Sequence, residues 1–486
     1  MSNFGLPYQH NEFLGKIVEC FAFLCAVILL GTVFFRENLF LLMVVGMYLC
    51  FVLFVVHFLV KQKILLSPTL FAFLISAGFI LKLSVQIENK SSASVIGWEA
   101  IGTFGFSLNE MVGLLFVVIC GLSGVLIALF SFKRFIRTRM KAVLFKHDMN
   151  MAGVKGRFKI LIIIWFVLYL LLILLMWKLG IGRHGFEVSE EQRLPFKLVG
   201  IMTYLRNLYF PALAFVIMDF LFLERRYKSI WIVFFLFMLL LSILAIVSFS
   251  RGVIIMPIAL FVMFILANYR SFDLRIVKLF MMFALIAVVA VFIMGIVDSV
   301  RVELYSNSSG NSGVDIATVR DHVSNIDVHQ VFMVFSSTLT SRIEGARELM
   351  AVYSSSFSGL GVFWDAFTNT ESTVYENVFG LSLAQEGRSY GVTLGMLGLL
   401  FLSKNYFIVF VGSIFYAYLF MAIEYIFAKK GYRMTAFYLS AMFVIFIWMN
   451  MVWFFITRMF AMCALLYLTI VLIERRKRSS LGRVRD

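Results

Sequence analysis

Guanidinium groups set among apolar residues are the chemically suggestive feature of this sequence. Arg206 lies inside a hydrophobic segment, Arg251 sits in Ser250-Arg251-Gly252 between two such segments, and Arg458 sits between another pair. Arg342, Arg347 and Arg388 fall in one long polar stretch together with Glu344 and Glu348. A planar guanidinium fork binds carboxylate or phosphate oxygens bidentately. An unpaired arginine at a helix centre costs about 2.5–3.5 kcal/mol on insertion scales. Several arginines at one membrane depth therefore either snorkel to the headgroups or meet a compensating anion. A tight Ser-Arg-Gly turn gives Arg251 little steric cover, which favours the anion for that residue.

The elements that position these residues are membrane helices. The chain is 62% hydrophobic and 14% charged, with 56 Phe among its 486 residues, whereas soluble domains are about half apolar and a quarter charged. Apolar runs of about 20 residues recur, each long enough to cross a hydrocarbon core of roughly 30 Å. We expect an all-α polytopic membrane protein with about 12 transmembrane helices, near 17–35, 39–60, 64–84, 108–132, 158–181, 198–223, 230–249, 253–268, 277–297, 406–427, 435–455 and 459–473. A β-barrel would show alternating segments of about ten residues instead. The first span has no small-residue cleavage site and reads as a retained helix.

Charge patterning orients the spans. Basic clusters recur in alternate connections: Lys61/Lys63, the stretch from Lys133 to Lys159, Arg225/Arg226/Lys228, Arg270/Arg275/Lys278, Lys429/Lys430/Arg433 and the tail 474–486 with Arg475-Arg476-Lys477-Arg478. The positive-inside bias makes these segments, and both termini, cytoplasmic. It also accounts for the net charge of +16 without nucleic acid. Spans 1–9 (1–297) and 10–12 (406–473) then flank a large non-cytoplasmic loop, 298–405, with 11 Asp/Glu and 6 Lys/Arg between Asp298 and Lys404. Residues 230–268 and 435–473 become hairpins with almost no loop, so Arg251 and Arg458 lie at the outer interface. Arg206 lies about eight residues into a span that enters from that side. Asp219 lies near the inner end of the same span, and Pro211 is placed to kink it.

Inside the loop, Ile343, Ala346, Met350 and Tyr353 recur at helical spacing, which predicts an amphipathic helix that projects Arg342, Arg347 and Glu348 elsewhere. Glu344 and Arg347 also fit an ordinary surface pair. Gly359-Leu360-Gly361 permits close backbone approach. The stretch 391–402 is apolar but too short to cross, and reads as re-entrant or interfacial. His322 and His329 are two helical turns apart, yet two solvated histidines are the simpler reading than a metal pair. The five cysteines all fall in predicted spans and show no disulfide or metal spacing. No P-loop, dinucleotide, zincin or serine-hydrolase motif occurs. No D-x-D in a loop supports a metal-held nucleotide-sugar donor, and no internal repeat supports a transporter.

Over roughly residues 230–430 this layout resembles the O-antigen polymerase (Wzy-type repeat-unit polymerase) family of bacterial inner membranes. The resembling parts are Ser250-Arg251-Gly252, Arg342-Ile343-Glu344-Gly345 with Gly359-Leu360-Gly361 downstream, and the 391–402 segment before the last three spans. The O-antigen ligases share the general layout but are expected to use a histidine in the large periplasmic loop, and the stretch 342–361 has none. The resemblance implies a GT-C-like membrane glycosyltransferase with a large helical periplasmic loop and no cofactor. It implies undecaprenyl-pyrophosphate-linked oligosaccharides as donor and acceptor, and a chain-length regulator as a further partner. Arg251, Arg342 and Arg347 would then hold the pyrophosphate, with Arg458, Arg388 and Arg206 as second choices. Glu344 or Glu348, or else Asp365, Glu376 or Glu386, would be the general base. A ligase-like transferase and a lipid-linked oligosaccharide flippase are the alternatives.

Overall fold

The computed structural model describes residues 11–35, 39–61, 65–84, 108–143, 157–179, 198–224, 226–248, 252–268, 297, 349–350, 352–353, 355–368, 395–449 and 459–472. Among these the chain is helical, with no strand. The helices are α1 (Asn11–Phe34), α2 (Leu39–Val60), α3 (Ser67–Ile75, continued by a π-helical Ser76–Leu81), α4 (Leu108–Val143) and α5 (Arg157–Lys178). They continue as α6 (Leu198–Tyr204, then π-helical Leu205–Tyr209), α7 (Phe210–Leu223), α8 (Tyr227–Ser248) and α9 (Gly252–Asn268). The last are α10 (Leu360–Thr368), α11 (Gly395–Phe401), α12 (Tyr406–Ala428), α13 (Arg433–Met449) and α14 (Met459–Leu472).

Among the described residues, eight helical segments are long and apolar enough to cross a membrane, and three shorter apolar helices lie at Met256–Asn268, Arg433–Ile445 and Met459–Leu472. The protein is thus an all-α, multi-pass membrane protein. Eight of the twelve expected spans coincide with the long segments; 253–268, 435–455 and 459–473 overlap the three shorter helices, and 277–297 lies outside the described residues save for Val297. The expected helix at 108–132 instead runs to Val143. Once a helix is established, Lys, Arg and Met continue it at little cost, so the basic stretch extends the span.

Two compact units divide the chain. The first comprises Met1–Asp148, Leu339–Ile426 and Leu439–Ala461; the second comprises Met149–Thr338, Phe427–Tyr438 and Met462–Asp486.

Within the first unit α1, α2 and α3 pack on one another, and α4 packs on α2 and α11. Lipid supplies no hydrophobic drive between membrane helices, so close van der Waals approach through small residues must supply it. On α4, a Cβ at Gly124 would lie 2.4 Å from the Phe410 carbonyl oxygen, and one at Gly113 would collide with the Tyr353 ring. Ser413 of α12 also faces this glycine row: a Cβ at Gly124 would lie 3.2 Å from Ser413 Cβ.

In the second unit α8 packs against α5, α7 and α9. Aromatic stacking fills the contacts, with Phe234 on Phe261 at 3.8 Å and Phe215 on Tyr438 at 4.3 Å between ring centroids.

Each unit also contains a buried carboxylate that caps the start of another helix. Glu424 on α12 is fully buried; its two oxygens accept the Leu66 N–H at 2.7 Å and the Ser67 N–H at 2.9 Å, at the N-terminus of α3. Leu66, the residue at the cap position, has no side chain able to do this. Asp219 on α7, 1% exposed, accepts the Met434 N–H at 2.8 Å and both the Thr435 N–H and hydroxyl at 2.7 Å, at the start of α13. A helix N-terminus leaves four N–H groups without intrahelical partners and carries partial positive charge. A carboxylate satisfies both.

Replacing Glu424 or Asp219 by alanine strands buried N–H groups and is expected to cost about 1–3 kcal/mol. The measurement is thermal unfolding of the detergent-purified protein, where unchanged midpoints for both variants would refute the capping role. Gly124→Ala forces two backbones apart and is expected to destabilise by about 1–3 kcal/mol. Gly31→Ala, whose Cβ would meet nothing within 4 Å, serves as the neutral control in the same melts.

Candidate functional site

Of the residues expected to do chemistry, Arg206 and Asp365 are described. Arg251, Arg342, Glu344, Arg347, Glu348, Arg388 and Arg458 lie outside the described residues, as do Glu376, Glu386, His322 and His329. Asp365 is exposed on α10.

Arg206 resolves one of the two outcomes posed by its sequence. Its side chain does not snorkel to the surface: the residue is 3% exposed, inside the second unit. The local backbone explains how it is held. Leu205–Tyr209 is π-helical, and the Phe210 N–H bonds to the Leu205 carbonyl, five residues back, in place of the Arg206 carbonyl. In that register the next donor to the Arg206 carbonyl would be residue 211, which is proline and has no N–H. The carbonyl is instead taken by the Tyr169 hydroxyl, which donates to it at 3.0 Å. So Pro211 is accommodated by a π-bulge backed by a side chain from α5. π-bulges are enriched at functional positions of helices.

The rest of this cluster fixes the same turn. Trp165 Nε1 donates to the Phe210 carbonyl at 3.0 Å, and the Tyr169 ring stacks on Phe210 at 5.2 Å with 6° between planes. Tyr209 and Thr469 share a hydroxyl hydrogen bond of 3.0 Å. Arg206 Nε donates to Asn207 Oδ1 at 2.9 Å, which orients the guanidinium beside its own backbone. The arrangement presents a buried, preoriented cation within a membrane-crossing segment, the kind of group that binds an oxyanion.

A second cluster lies in the first unit, in the described parts of the long polar loop. Met350 and Val352 are buried, and the Tyr353 ring stacks on Phe401 of α11 at 5.7 Å. Of the apolar face expected for this segment, Met350 and Tyr353 are described and both pack on protein, while Ile343 and Ala346 lie outside the described residues. Lys404 joins the two pieces. Its Nζ donates to the Val352 carbonyl at 2.8 Å and the Tyr353 carbonyl at 2.5 Å, and lies 5.4 Å from the centroids of both the Tyr353 and Phe401 rings. Burial pulls its pKa below the ordinary lysine value. Lys404 adopts a left-handed φ of 53°, a strained conformation for a residue with a Cβ, held here by the four contacts of its ammonium.

Gly359 completes the joint. Its φ of 133° is open to glycine alone, and its N–H donates to the Leu402 carbonyl at 2.7 Å. A Cβ at Gly359 or Gly361 would meet nothing within 4 Å, so the close approach expected of this turn is not seen there, and it is the φ of Gly359 that calls for glycine. α11 is wholly buried, so the 391–402 segment is enclosed in protein over its helical part.

Sequence reasoning missed Tyr169, Trp165 and Lys404. Their roles depend on which distant carbonyls the backbone leaves unpaired, and the only local signal was the proline at 211. Removing the Tyr169 hydroxyl leaves the Arg206 carbonyl short of its donor. Tyr169→Phe is expected to destabilise by about 1–3 kcal/mol in detergent melts; equal melting points for wild type and Tyr169→Phe would refute the role.

No protein-family model, curated protein or solved structure matches this chain.

Proposed function

We propose that this protein polymerises undecaprenyl-pyrophosphate-linked oligosaccharide repeat units into a surface polysaccharide at the periplasmic face of a bacterial inner membrane. The observation that carries this reading is the buried guanidinium of Arg206 in a membrane-crossing segment, its Nε donating to Asn207 Oδ1. A cation sequestered from water in that position suits an anion delivered by a lipid. The O-antigen polymerase-like motifs around Arg251, Arg342 and Gly359 support the same reading. It carries with it twelve spans of GT-C-like arrangement, both termini in the cytoplasm, and a chain-length regulator as a further partner.

In this scheme a hydroxyl of the acceptor unit attacks the anomeric carbon of the donor glycan. The bond from that carbon to the pyrophosphate oxygen breaks, a glycosidic bond forms, and the pyrophosphate leaves with the electron pair. Arg251, Arg342 and Arg347 bind the departing diphosphate, with Arg206, Arg388 and Arg458 contributing positive charge. Preorganised cations in a poorly hydrated site stabilise charge as it develops. Glu344 or Glu348 takes the proton of the acceptor hydroxyl, and Asp365 is the described alternative. The anchored Tyr353–Phe401–Lys404 joint holds the end of the loop segment that carries Arg342 and Arg347.

Purified protein incubated with lipid-linked repeat units is expected to give a ladder of chain lengths. One added unit on lipid A would identify a ligase, and no glycosidic product a carrier. Arg251→Ala and Arg206→Ala are expected to accumulate normally yet lose about 10²–10³-fold in rate, the usual loss when one charge-stabilising donor is removed. Arg251→Lys is expected to remain poor because an ammonium cannot bind bidentately. Wild-type ladders from all three variants would remove these residues from the site.

A further inference from the structure

The outward face of α1 and α2 carries an ionisable pair whose position the helix fold alone does not require. His57 Nδ1 lies 2.9 Å from Glu19 Oε1, with the two side chains 45% and 35% exposed. Both residues belong to segments long and apolar enough to cross a membrane. Exposed Lys16 and Lys61 lie three and four residues from them along their helices, toward the polar ends. Those lysines reach the headgroups first, which leaves the pair one turn deeper, where an unsatisfied polar group is costly.

The outer edge of the pair has fixed hydrogen-bonding character. In hydrocarbon the pair is most stable with no net charge, either as imidazolium with carboxylate or as imidazole with carboxylic acid. In the first form Nδ1–H donates to Oε1; in the second the acid donates to Nδ1. Both forms leave His57 Nε2–H as a donor and Glu19 Oε2 as an acceptor. One donor beside one acceptor is self-complementary under a two-fold axis: each histidine of two copies can donate to the other's glutamate.

The rest of the α2 face is shaped for such a contact. Met43, Met47, Cys50, Phe54 and His57 recur at intervals of four, three, four and three residues. Met43, Met47 and Phe54 are 63%, 66% and 50% exposed, and Cys50 is exposed as well. This is the spacing of a two-helix seam. Gly46 adjoins it, and a Cβ there would meet nothing within 4 Å. Gly46 and Cys50 are four residues apart, the small-xxx-small spacing that lets membrane helices approach closely.

We infer that the α1–α2 face, through Glu19, His57 and the Gly46–Cys50 seam of α2, is the interface by which two copies of this chain associate as a two-fold dimer in the membrane. In an isologous interface each element meets its own counterpart. Cys50 of one copy therefore lies near Cys50 of the other, while Glu19 of each meets His57 of its neighbour. The inference is independent of the catalytic reading, because neither residue belongs to the proposed site.

The test is cross-linking of the full-length protein in native membranes with a short bis-maleimide. A variant with Cys20, Cys25, Cys120 and Cys463 replaced by serine keeps Cys50 alone, and is expected to give a product at twice the 55.7 kDa of the chain. Cys50→Ser on that background abolishes it. Gly46→Leu fills space that is open within one copy and so spares its fold. It is expected to cut the cross-linked yield about tenfold, as is the double variant Glu19→Leu/His57→Leu. Stepwise photobleaching of singly labelled wild-type protein in bilayers is expected to show two steps. Single-step bleaching with no product at Cys50 overturns the inference. So does a Cys50 product containing a different protein, a yield unchanged in both substituted forms, or a single copy that retains a phospholipid through His57.

Discussion

The whole arrangement depends on how the backbone N–H groups at helix starts are satisfied where water is scarce. A helix beginning inside apolar surroundings brings up to four such donors with it. In lipid, each unsatisfied group costs several kcal/mol. Leu66 cannot cap α3 by itself. The donor pairs at Leu66/Ser67 and Met434/Thr435 are instead closed by Glu424 and Asp219, from helices 357 and 215 residues away in sequence at the shortest separations. Two oxygens per carboxylate match two successive N–H groups, and the negative charge meets the positive end of the helix dipole. A neutral amide offers only one acceptor oxygen and would repel the second N–H. That is why a charged residue is tolerated at these buried positions.

The same accounting explains the π-helical turn at Leu205–Tyr209. Pro211 removes one donor and the wider turn displaces another, so the Arg206 carbonyl depends on the Tyr169 hydroxyl. The irregular turn is held by α5 through two side chains, Trp165 and Tyr169, on one helical face four residues apart. The Arg206 backbone is thereby placed by α5, and its Nε is held by Asn207 Oδ1.

The spans were legible in the sequence because hydrocarbon thickness imposes length and composition on every crossing segment. The extension of α4 to Val143 was not, because hydropathy marks where a helix leaves the apolar layer and says nothing of where its hydrogen bonding stops. Asp219 was legible as a polar residue near a helix end. Its partner was not, since nothing local to residue 219 points to Thr435. Lys404 was equally opaque: its ligands are the carbonyls of Val352 and Tyr353, and carbonyls leave no trace in residue types. Arg206 was legible as an arginine in an apolar run. That its side chain would be buried in the protein was not, because that depends on Pro211 being absorbed by a π-bulge. The remaining expected site residues lie outside the described residues, and their arrangement stands as proposed from sequence.

The first unit shows how a segment too short to cross is enclosed by protein. α11 has seven residues, all buried, and an isolated helix of that length is not stable in water. Its position is set from outside it. The Leu402 carbonyl that follows it is held by Gly359, the Leu400 carbonyl by the Ser403 hydroxyl at 2.7 Å, and the Phe401 ring by Tyr353 and Tyr406. Gly121 and Gly412 give room to Leu397 and Leu400, since a Cβ at either glycine would lie 2.4 Å from the facing leucine methyl. Non-spanning backbone at membrane depth is stable only when enclosed by protein in this way. The same contacts that enclose α11 also hold Val352 and Tyr353 through Lys404. Packing of the short helix and placement of Val352 and Tyr353 are therefore one energetic event, and a change that loosens either is transmitted to the other.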